Sequence, residues 1–345
     1  MKLKFWRQEL HLTHTWTIAR GSEDVAPVVL VELSDTNGTS GIGEASPILR
    51  YHESVDTVED FSRKVDPARL SFDDVSGSMS YLDTVAPDNM AAKCAFNLAL
   101  LDGAAKRAQK PVYDFLGLGF RENHHVTSFT IGIDTPEMIR KKVLEAERFP
   151  MLKVKVGVPG DQTIMAAMRE TAPHKPLRLD ANEGWRTKEE ALARLDWLAK
   201  DPKIQFVEQP MPSSTNPKDL AWLKQRSPLP LFADESYHHA KDIAHCAECF
   251  HGVNVKLAKT GGITGGFEAL SAGRKAGLKT MIGCMIESSV LISAAAHLAE
   301  LCDYLDIDGN VLIKNDPYLG VTSENGILSF ANAPEKTGLR VRPRN

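Results

Sequence analysis

Three acidic residues, Asp180, Glu208 and Asp234, each stand at the end of a short apolar segment, and the three segments follow one another along the chain. If the segments are neighbouring strands, the carboxylates converge, repel one another and resist ionisation. A hard divalent cation relieves this repulsion, and three oxygen ligands that leave positions for water and substrate suit Mg²⁺. The alternative is that each acid only caps the helix after it, but the equivalent positions of all three favour a metal site.

Three lysines occupy the apolar segments on either side of these acids. Lys153 and Lys155 are separated by one residue in the apolar segment that precedes the three acids. Lys256 ends the apolar segment that follows them. Residues i and i+2 of a strand face the same way. Two adjacent ammonium groups lower each other's pKa, so that one of them can serve as a neutral base. A lone lysine is more often a solvated surface residue, but positions at strand ends predict groups that transfer protons.

Eight short apolar segments alternate with helix-like stretches such as residues 188–200, 265–276 and 288–301. This alternation predicts parallel βαβ units. Eight strands fit a closed (β/α)-barrel, whose functional residues lie at the carboxyl ends of the strands. An open doubly wound sheet is the alternative, but no Gly-x-Gly-x-x-Gly turn follows any segment. The predicted strands are residues 126–132, 152–157, 176–180, 204–208, 229–234, 253–256, 278–283 and 304–307.

In such a barrel the second and sixth strands lie on opposite sides, so Lys155 and Lys256 would flank a substrate carbon from two faces. Removing a proton at one face and returning one at the other inverts a stereocentre, while the metal stabilises the intervening enediolate. The eighth segment carries Asp306 and Asp308, which would bind a cation. A substrate with a carboxylate at the metal and an ammonium at these acids is an amino acid or a short peptide. A plain turn before Gly309 is the alternative.

The chain before the barrel has a different pattern. Residues 25–33 and 39–44 predict an antiparallel hairpin, and residues 90–108 predict a helix. We therefore expect an α/β protein in which a small α+β capping domain precedes the barrel. The expected bounds are residues 1–122 for the capping domain, 123–310 for the barrel, and 311–345 for a C-terminal segment that returns to the capping domain.

Composition argues against several partners. The net charge of −4, without blocks of like charge, makes nucleic acid or an anionic membrane a poor partner. No apolar run approaches the roughly 18 residues of a membrane span, and the first residues lack the apolar core of a signal peptide. Five cysteines, an odd number, suit a reduced cytoplasmic protein. The oligomeric state stays open, with a homo-oligomer as one alternative.

Together, these residues resemble the enolase superfamily, specifically its muconate-lactonizing subgroup, over nearly the whole chain. The Lys-Val-Lys sequence at 153–155 is similar to the family's paired-lysine motif, whose second lysine is the base. Asp180, Glu208 and Asp234 match its metal ligands, and Lys256 matches the lysine on the opposite face. The resemblance implies lysine bases and a Mg²⁺ ion that stabilises an enediolate, which is the established chemistry of the superfamily as a whole.

Within the subgroup, residues 306–308 resemble the paired aspartates with which dipeptide epimerases hold a substrate ammonium. The implied activity is L-Ala-D/L-Glu epimerisation, which serves the recycling of murein peptides. Loops over residues 11–24 and 46–54 would close over the substrate, and Arg20 or Arg50 would bind an acidic side chain in a fork. The further residues implied are Lys153 and Glu235 as catalytic support, and Thr130, Lys153, Cys284 and Ile286 as substrate contacts.

Three other functions compete with this one. A muconate cycloisomerase or o-succinylbenzoate synthase would use the same scaffold, but its substrate carries no ammonium for the two aspartates. The substrate of an N-acylamino acid racemase also carries no ammonium. A non-catalytic barrel that binds an amino acid or peptide is a remote alternative, because clustered acids and opposed lysines are costly to place together without chemistry.

Overall fold

The N-terminal part of the chain forms an antiparallel sheet in the computed structural model, which describes residues 1–345. Its three strands, in the order β1-β2-β3, are β1 (Lys2–Ile18), β2 (Gly21–Ser34) and β3 (Ser40–Ala45). The helices that follow are α1 (Val55–Lys64), α2 (Val75–Val85), α3 (Met90–Arg107) and α4 (Val112–Phe115).

The prediction of a loop over residues 11–24 is wrong, because β1 and β2 form a continuous hairpin there. The strands pair from Lys2 to Ile18, with one irregularity between His11 and Trp16. Most residues of β1 alternate between exposed and half-buried, so the strand contains no apolar run that could reveal it. The hairpin turn at residues 19–20 carries Arg20 over the barrel.

The capping sheet is fixed by close packing of β3 on α3. An added Cβ at Gly41 would lie 2.0 Å from the carbonyl oxygen of Ala99, and one at Gly43 would lie 1.9 Å from that of Ala95. Only glycine allows the two backbones to approach this closely. This contact holds the base of the hairpin in place, so the position of its tip above the barrel is defined.

Eight parallel strands form the second domain, as the sequence predicts. Their order in the sheet follows the chain from β4 to β11. A bridge between Thr127 and Leu305 joins the two ends, so the sheet closes into a barrel. The strands are β4 (Phe129–Ile131), β5 (Leu152–Lys155), β6 (Leu177–Asp180), β7 (Ile204–Glu208), β8 (Leu231–Ala233), β9 (Gly252–Lys256), β10 (Lys279–Gly283) and β11 (Tyr304–Asp306).

Helices connect successive strands and pack outside the barrel, as expected for this fold. Many begin with a side-chain cap: Thr135 and Thr187, for example, each accept a hydrogen bond from a backbone N–H of the first turn. The helices are α5 (Pro136–Glu145), α6 (Asp161–Thr171), α7 (Lys188–Leu198), α8 (Pro217–Arg226), α9 (Ile243–Cys249), α10 (Leu257–Thr260), α11 (Ile263–Lys275) and α12 (Ser289–Ala296).

Alternation along the strands creates a floor for the barrel mouth. Residues two positions apart on a strand face the same way, and Phe206 and Phe232 stand two positions before Glu208 and Asp234. Their rings stack with centroids 4.2 Å apart, and Tyr304 of β11 contacts both. This aromatic layer closes the barrel beneath the polar residues at the strand ends.

The C-terminal segment runs back along the capping domain. Leu312 O accepts a hydrogen bond from Thr13 N at 2.9 Å, and Leu339 N donates to Asp102 Oδ1 at 2.7 Å. Two short strands, β12 (Tyr318–Leu319) and β13 (Arg342–Pro343), pair with each other in this segment. None of the helices combines the length and apolar character that a membrane span requires.

Candidate functional site

The three acids proposed as metal ligands converge at the carboxyl ends of adjacent barrel strands. Asp180 and Glu208 end β6 and β7, where they are partners in the ladder, and Asp234 directly follows β8. All three are fully buried, and one carboxylate oxygen from each lies within 4.8 Å of the others. Parallel strands in register therefore bring together residues that are far apart in the chain.

Two lysines enter the cluster from β5. Lys155 Nζ lies 2.7 Å from Asp180 Oδ2. Lys153 Nζ lies 3.1 Å from the same oxygen and 2.8 Å from Glu208 Oε2. Both lysines face the barrel mouth, as the i and i+2 spacing indicates, and both are buried.

From the opposite side, β9 and α10 contribute a third lysine and two groups that the sequence reasoning missed. Lys256 Nζ lies 2.8 Å from Asp234 Oδ2, and Lys259 Nζ lies 2.6 Å from Asp234 Oδ1. Asn254 donates a hydrogen bond to Glu208 Oε1 at 2.7 Å. Asn254 stands two residues before Lys256 on the strand, so strand alternation could have identified it, whereas no strand pattern marks Lys259.

The lysines decide which carboxylates are ionised. Burial would raise the pKa of Asp180, but the ammonium groups of Lys155 and Lys153 outweigh burial and lower it. The pKa of Asp234 is lowered for the same reason, because two lysines contact it. Glu208 alone among the three resists ionisation as expected for clustered acids: burial and the neighbouring Asp180 raise its pKa to about 8.

The expectation that paired lysines lower each other's pKa is wrong for Lys153. Burial acts in that direction, but Asp306 and Glu208 outweigh it and raise the pKa of Lys153 well above its usual value. The pKa of Lys256 is likewise raised, because Asp234 outweighs burial. The prediction considered charges on one strand and left out the carboxylates that neighbouring strands place against them.

The carboxylate cluster fits a divalent cation. Glu208 Oε2 and Asp234 Oδ2 are buried and receive no well-directed hydrogen bond, although a lysine nitrogen lies 2.8 Å from each. Mg²⁺ binds oxygen ligands at roughly 2.0–2.1 Å, so its ligands lie at most about 4.2 Å apart, close to the spacing here. Three acidic oxygens on rigid strands match the hard oxygen ligands that this ion prefers.

The two aspartates at the end of β11 have different environments. Asp306 accepts hydrogen bonds from Lys153 Nζ and Ser128 Oγ, each at 2.6 Å. Asp308 accepts one from the backbone N–H of Thr130 at 2.6 Å and has no ion-pair partner. Burial and the nearby Asp306 raise the pKa of Asp308 to about 7. We expected both acids to be free for a ligand, but Asp306 is already paired with a lysine of the protein.

Two arginines of the capping domain contact acids of the barrel. Arg20 Nη1 donates to Glu235 Oε1 at 2.7 Å and to the carbonyl oxygen of Asn182 at 3.0 Å. Arg50 binds both carboxylate oxygens of Glu183 at 3.0 Å through Nε and Nη2. These ion pairs join the two domains. Nε and Nη2 of Arg20 have no protein partner, whereas the same two atoms of Arg50 are bound to Glu183.

A cavity of about 530 Å³ lies between the capping domain and the barrel mouth. All six proposed substrate contacts line it, namely Thr130, Lys153, Cys284, Ile286, Asp306 and Asp308. Ser46 of the second capping loop donates a hydrogen bond to Ile286 O at 3.1 Å. The capping domain therefore also supports the barrel loop that forms one wall. The cavity is large enough for a dipeptide and opens onto the lysines of both β5 and β9.

Two family models match the chain. The enolase C-terminal domain-like model matches residues 137–328, and the mandelate racemase / muconate lactonizing enzyme N-terminal domain model matches residues 4–117. Together they span the capping domain and most of the barrel.

Individual proteins are similar over the full length. The L-Ala-D/L-amino acid epimerase of Pedosphaera parvula (strain Ellin514) is 65% identical over 100% of both chains. The L-Ala-D/L-Glu epimerase of Bacteroides thetaiotaomicron is 38% identical over 97% of this chain and 86% of that protein. The crystal structure of the dipeptide epimerase from Cytophaga hutchinsonii, complexed with Mg and D-Ala-L-Val, has a TM-score of 0.91 at 29% identity, covering 99% of this chain and 95% of that chain. Since these matches agree with the barrel, the capping sheet and the acid–lysine cluster, the chain belongs to the mandelate racemase/muconate lactonizing enzyme family of the enolase superfamily.

Proposed function

We propose that this chain is a Mg²⁺-dependent dipeptide epimerase that inverts the α-carbon of the second residue of L-Ala-Xaa dipeptides, with L-Ala-D/L-Glu among its substrates. The observation that supports this most strongly is the placement of Lys155 and Lys256 on β5 and β9, four strands apart in an eight-stranded barrel. A carboxylate cluster lies between them. Two bases on opposite faces of a carbon can invert it, whereas one base returns the proton to the face it left.

Asp180, Glu208 and Asp234 would hold the metal, which when bound supplies positive charge that stabilises the negative charge developing on the substrate carboxylate. The lysines that now contact these oxygens would then lose part of the attraction that keeps them protonated. Burial alone would lower the pKa of Lys256. The reaction requires one Nζ to be neutral and accept a proton while the other is protonated and donates one.

Proton transfer follows from these positions. Lys155 Nζ would take the α-proton of one stereoisomer, and Lys256 Nζ would deliver a proton to the opposite face; in the reverse direction their roles exchange. Lys153, fixed between β5 and β11, would keep its charge and orient the substrate carboxylate. Glu235, which binds Arg20, would tie the capping hairpin to the barrel next to Lys256 and help exclude water.

The aspartates after β11 support a dipeptide rather than an N-acylamino acid. Asp308 is buried and has no ionic partner, so an ammonium there would restore its charge and form a charge-assisted hydrogen bond. In a dipeptide the ammonium lies several bonds from the second α-carbon, which suits the distance from the lysines to β11. An N-acylamino acid carries no ammonium, so it would leave Asp308 unpaired. A cytoplasmic role in the recycling of murein peptides would provide L-Ala-D/L-Glu and belongs to this proposal.

The proposal is tested by incubating L-Ala-L-Glu with the enzyme and Mg²⁺ in D₂O. We expect L-Ala-D-Glu to appear in the proton NMR spectrum, because the two diastereomers have distinct resonances. Mass spectrometry should show one deuterium in each product molecule. If no L-Ala-Xaa dipeptide gains deuterium while N-acetylated amino acids do, the chain is an N-acylamino acid racemase instead.

A further inference from the structure

The tip of the capping hairpin presents one carboxylate to the cavity. Trp16 pairs with Glu23, and Ile18 with Gly21, across β1 and β2. Directly opposed residues of an antiparallel pair place their side chains on the same face, and all four line the cavity. The Trp16 ring centroid lies 5.7 Å from Lys155 Nζ. Glu23 is therefore the charged residue on the hairpin face that covers the reacting lysine.

The polar side chains next to Glu23 in the sequence form hydrogen bonds within the hairpin. Thr15 Oγ1 donates to Asp24 Oδ1 at 2.7 Å, and the hydroxyls of Thr17 and Ser22 lie 3.0 Å apart. Glu23, in contrast, forms no ion pair and is exposed at the edge of the cavity, where partial loss of hydration raises its pKa with no neighbouring cation to offset the effect. Two consecutive acids thus differ in role: Asp24 stabilises the hairpin, and the carboxylate of Glu23 is left for something in the cavity.

The geometry of the α-carbon determines which part of a substrate reaches the hairpin. If the proposed function holds, the carboxylate points to the acid cluster and the amide nitrogen leads towards Asp308. The proton lies towards Lys155 in one isomer and Lys256 in the other. The remaining substituent, the side chain of the second residue, can only point to the capping domain. It therefore meets the face that carries Trp16 and Glu23.

The charges on this part of the cavity do not balance. Arg20 is paired with the buried Glu235, and Arg50 with Glu183, so each arginine is compensated within the protein. Glu23 is not. The capping wall therefore has one uncompensated negative charge where the substrate side chain ends.

We propose that Glu23 is a specificity-determining residue that admits dipeptides with a cationic second residue, such as L-Ala-L-Lys, and disfavours those with an acidic one. This inference rests on the proposed function. The substrate ammonium would form an ion pair with Glu23 at the edge of the cavity. A glutamate side chain would instead be repelled there, although Arg20 could still attract it.

The test compares three dipeptides in the full-length Mg²⁺-loaded enzyme: L-Ala-L-Lys, L-Ala-L-Glu and L-Ala-L-norleucine, which resembles the lysine dipeptide without its ammonium. For each, kcat/KM is measured in the unmutated enzyme, in Glu23→Gln and in the matched control Asp24→Asn. Glu23→Gln should lower the ratio of kcat/KM for lysine over norleucine by about two- to fivefold, as expected for an exposed ion pair. The ratio for glutamate over norleucine should rise. Asp24→Asn, which removes the same charge from the outer face, should leave both ratios unchanged.

The outcomes separate the two claims. If norleucine and lysine dipeptides are epimerised but Glu23→Gln shifts neither ratio, the specificity role of Glu23 is wrong and the proposed function stands. If Asp24→Asn shifts the ratios as much as Glu23→Gln, the effect is a general one of net charge, and the role is again wrong. If the unmutated enzyme epimerises none of the three, the proposed function fails and this inference fails with it. The norleucine dipeptide also reports whether each variant is folded, because its turnover needs no charge at position 23.

Discussion

Lys153 Nζ lies 2.6 Å from Asp306 Oδ2, so one of the two aspartates at the end of β11 is already neutralised by a lysine of β5. This contact passes over β4, which lies between β5 and β11 in the closed barrel, and it makes the paired aspartates unequal. The carboxylate that is free to bind a ligand ammonium is therefore that of Asp308. Burial and Asp306 raise the pKa of Asp308 to about 7.

Asp308→Asn should therefore remove recognition of the substrate ammonium. We expect kcat/KM for a free dipeptide to fall by about ten- to a hundredfold, the effect of losing one charge-assisted hydrogen bond. N-acetylation of the dipeptide should cost the unmutated enzyme a similar factor and should cost the variant little. Asp306→Asn should instead impair free and acetylated substrates alike, because it frees Lys153. Equal turnover of acetylated and free dipeptides by the unmutated enzyme would refute the ammonium site.

Removal of the metal should abolish activity, and Mg²⁺ should restore it, because three buried acids cannot otherwise stabilise a negatively charged substrate. Asn254 donates to Glu208 Oε1 and so orients one ligand. Loss of such a contact typically weakens metal affinity about ten- to a hundredfold. Asn254→Ala should therefore raise the Mg²⁺ concentration for half-maximal activity by about tenfold or more. Full activity after exhaustive chelation would contradict the metal site.

The capping arginines should have separable effects. Arg20 keeps two nitrogen donors without a protein partner, whereas Arg50 uses its fork on Glu183. Arg20→Ala should lower kcat/KM for L-Ala-L-Glu about tenfold more than for L-Ala-L-norleucine, because only the former offers a carboxylate. Arg50→Ala should impair both dipeptides by the same factor, since it only loosens the contact between domains. If the ratio of kcat/KM for glutamate over norleucine is unchanged in the double variant, neither arginine recognises the substrate side chain.

Stability should depend on pH through His297, which is buried next to Tyr113. Burial lowers the pKa of His297 to about 3, against an ordinary value of 6.5. Between these values the unfolded chain binds a proton that the folded chain does not, so His297 makes stability fall as pH falls. From pH 7.5 to 5.5 this loss amounts to about 1.4 kcal/mol.

His297→Asn keeps an acceptor for the Tyr113 N–H but does not titrate. The variant should be less stable at pH 7.5, and its deficit should shrink by about 1.4 kcal/mol at pH 5.5. Denaturant unfolding at both pH values measures this difference, in which the opposing effects of buried glutamates cancel. A deficit that is the same at both pH values would mean that His297 does not titrate as described.

Much of the barrel could be predicted because its strands are short apolar runs with chemically distinctive last residues. The acid cluster could be predicted from the same feature, since parallel strands place their carboxyl ends together. The contacts between side chains could not be predicted from the sequence. Arg20 and Glu235 are 215 residues apart in sequence, and nothing in either segment indicates the partner. For the same reason, the pKa directions of Lys153 and Lys256 depend on carboxylates from other strands.

The long strand β1 was missed because its sequence lacks an apolar run. Apart from the buried Leu10 and Leu12, its residues face solvent on one side and are only partly buried on the other, so the polar pattern resembles that of a loop. This error matters for function, because a hairpin has a defined inner and outer face and a loop has neither. The distinct environments of Glu23 and Asp24 follow from that alternation.

The central claim is that Lys155 and Lys256 act on opposite faces of one carbon, and isotope exchange in D₂O tests it most directly. Each of the variants Lys155→Ala and Lys256→Ala is incubated with L-Ala-L-Glu and, separately, with L-Ala-D-Glu in the presence of Mg²⁺. We expect neither variant to epimerise either isomer. Each should exchange the α-proton of only the isomer that its remaining lysine faces, so the two variants should show opposite stereochemical preferences. Near-normal epimerisation by either variant, or exchange of the same isomer by both, would contradict the two-base account.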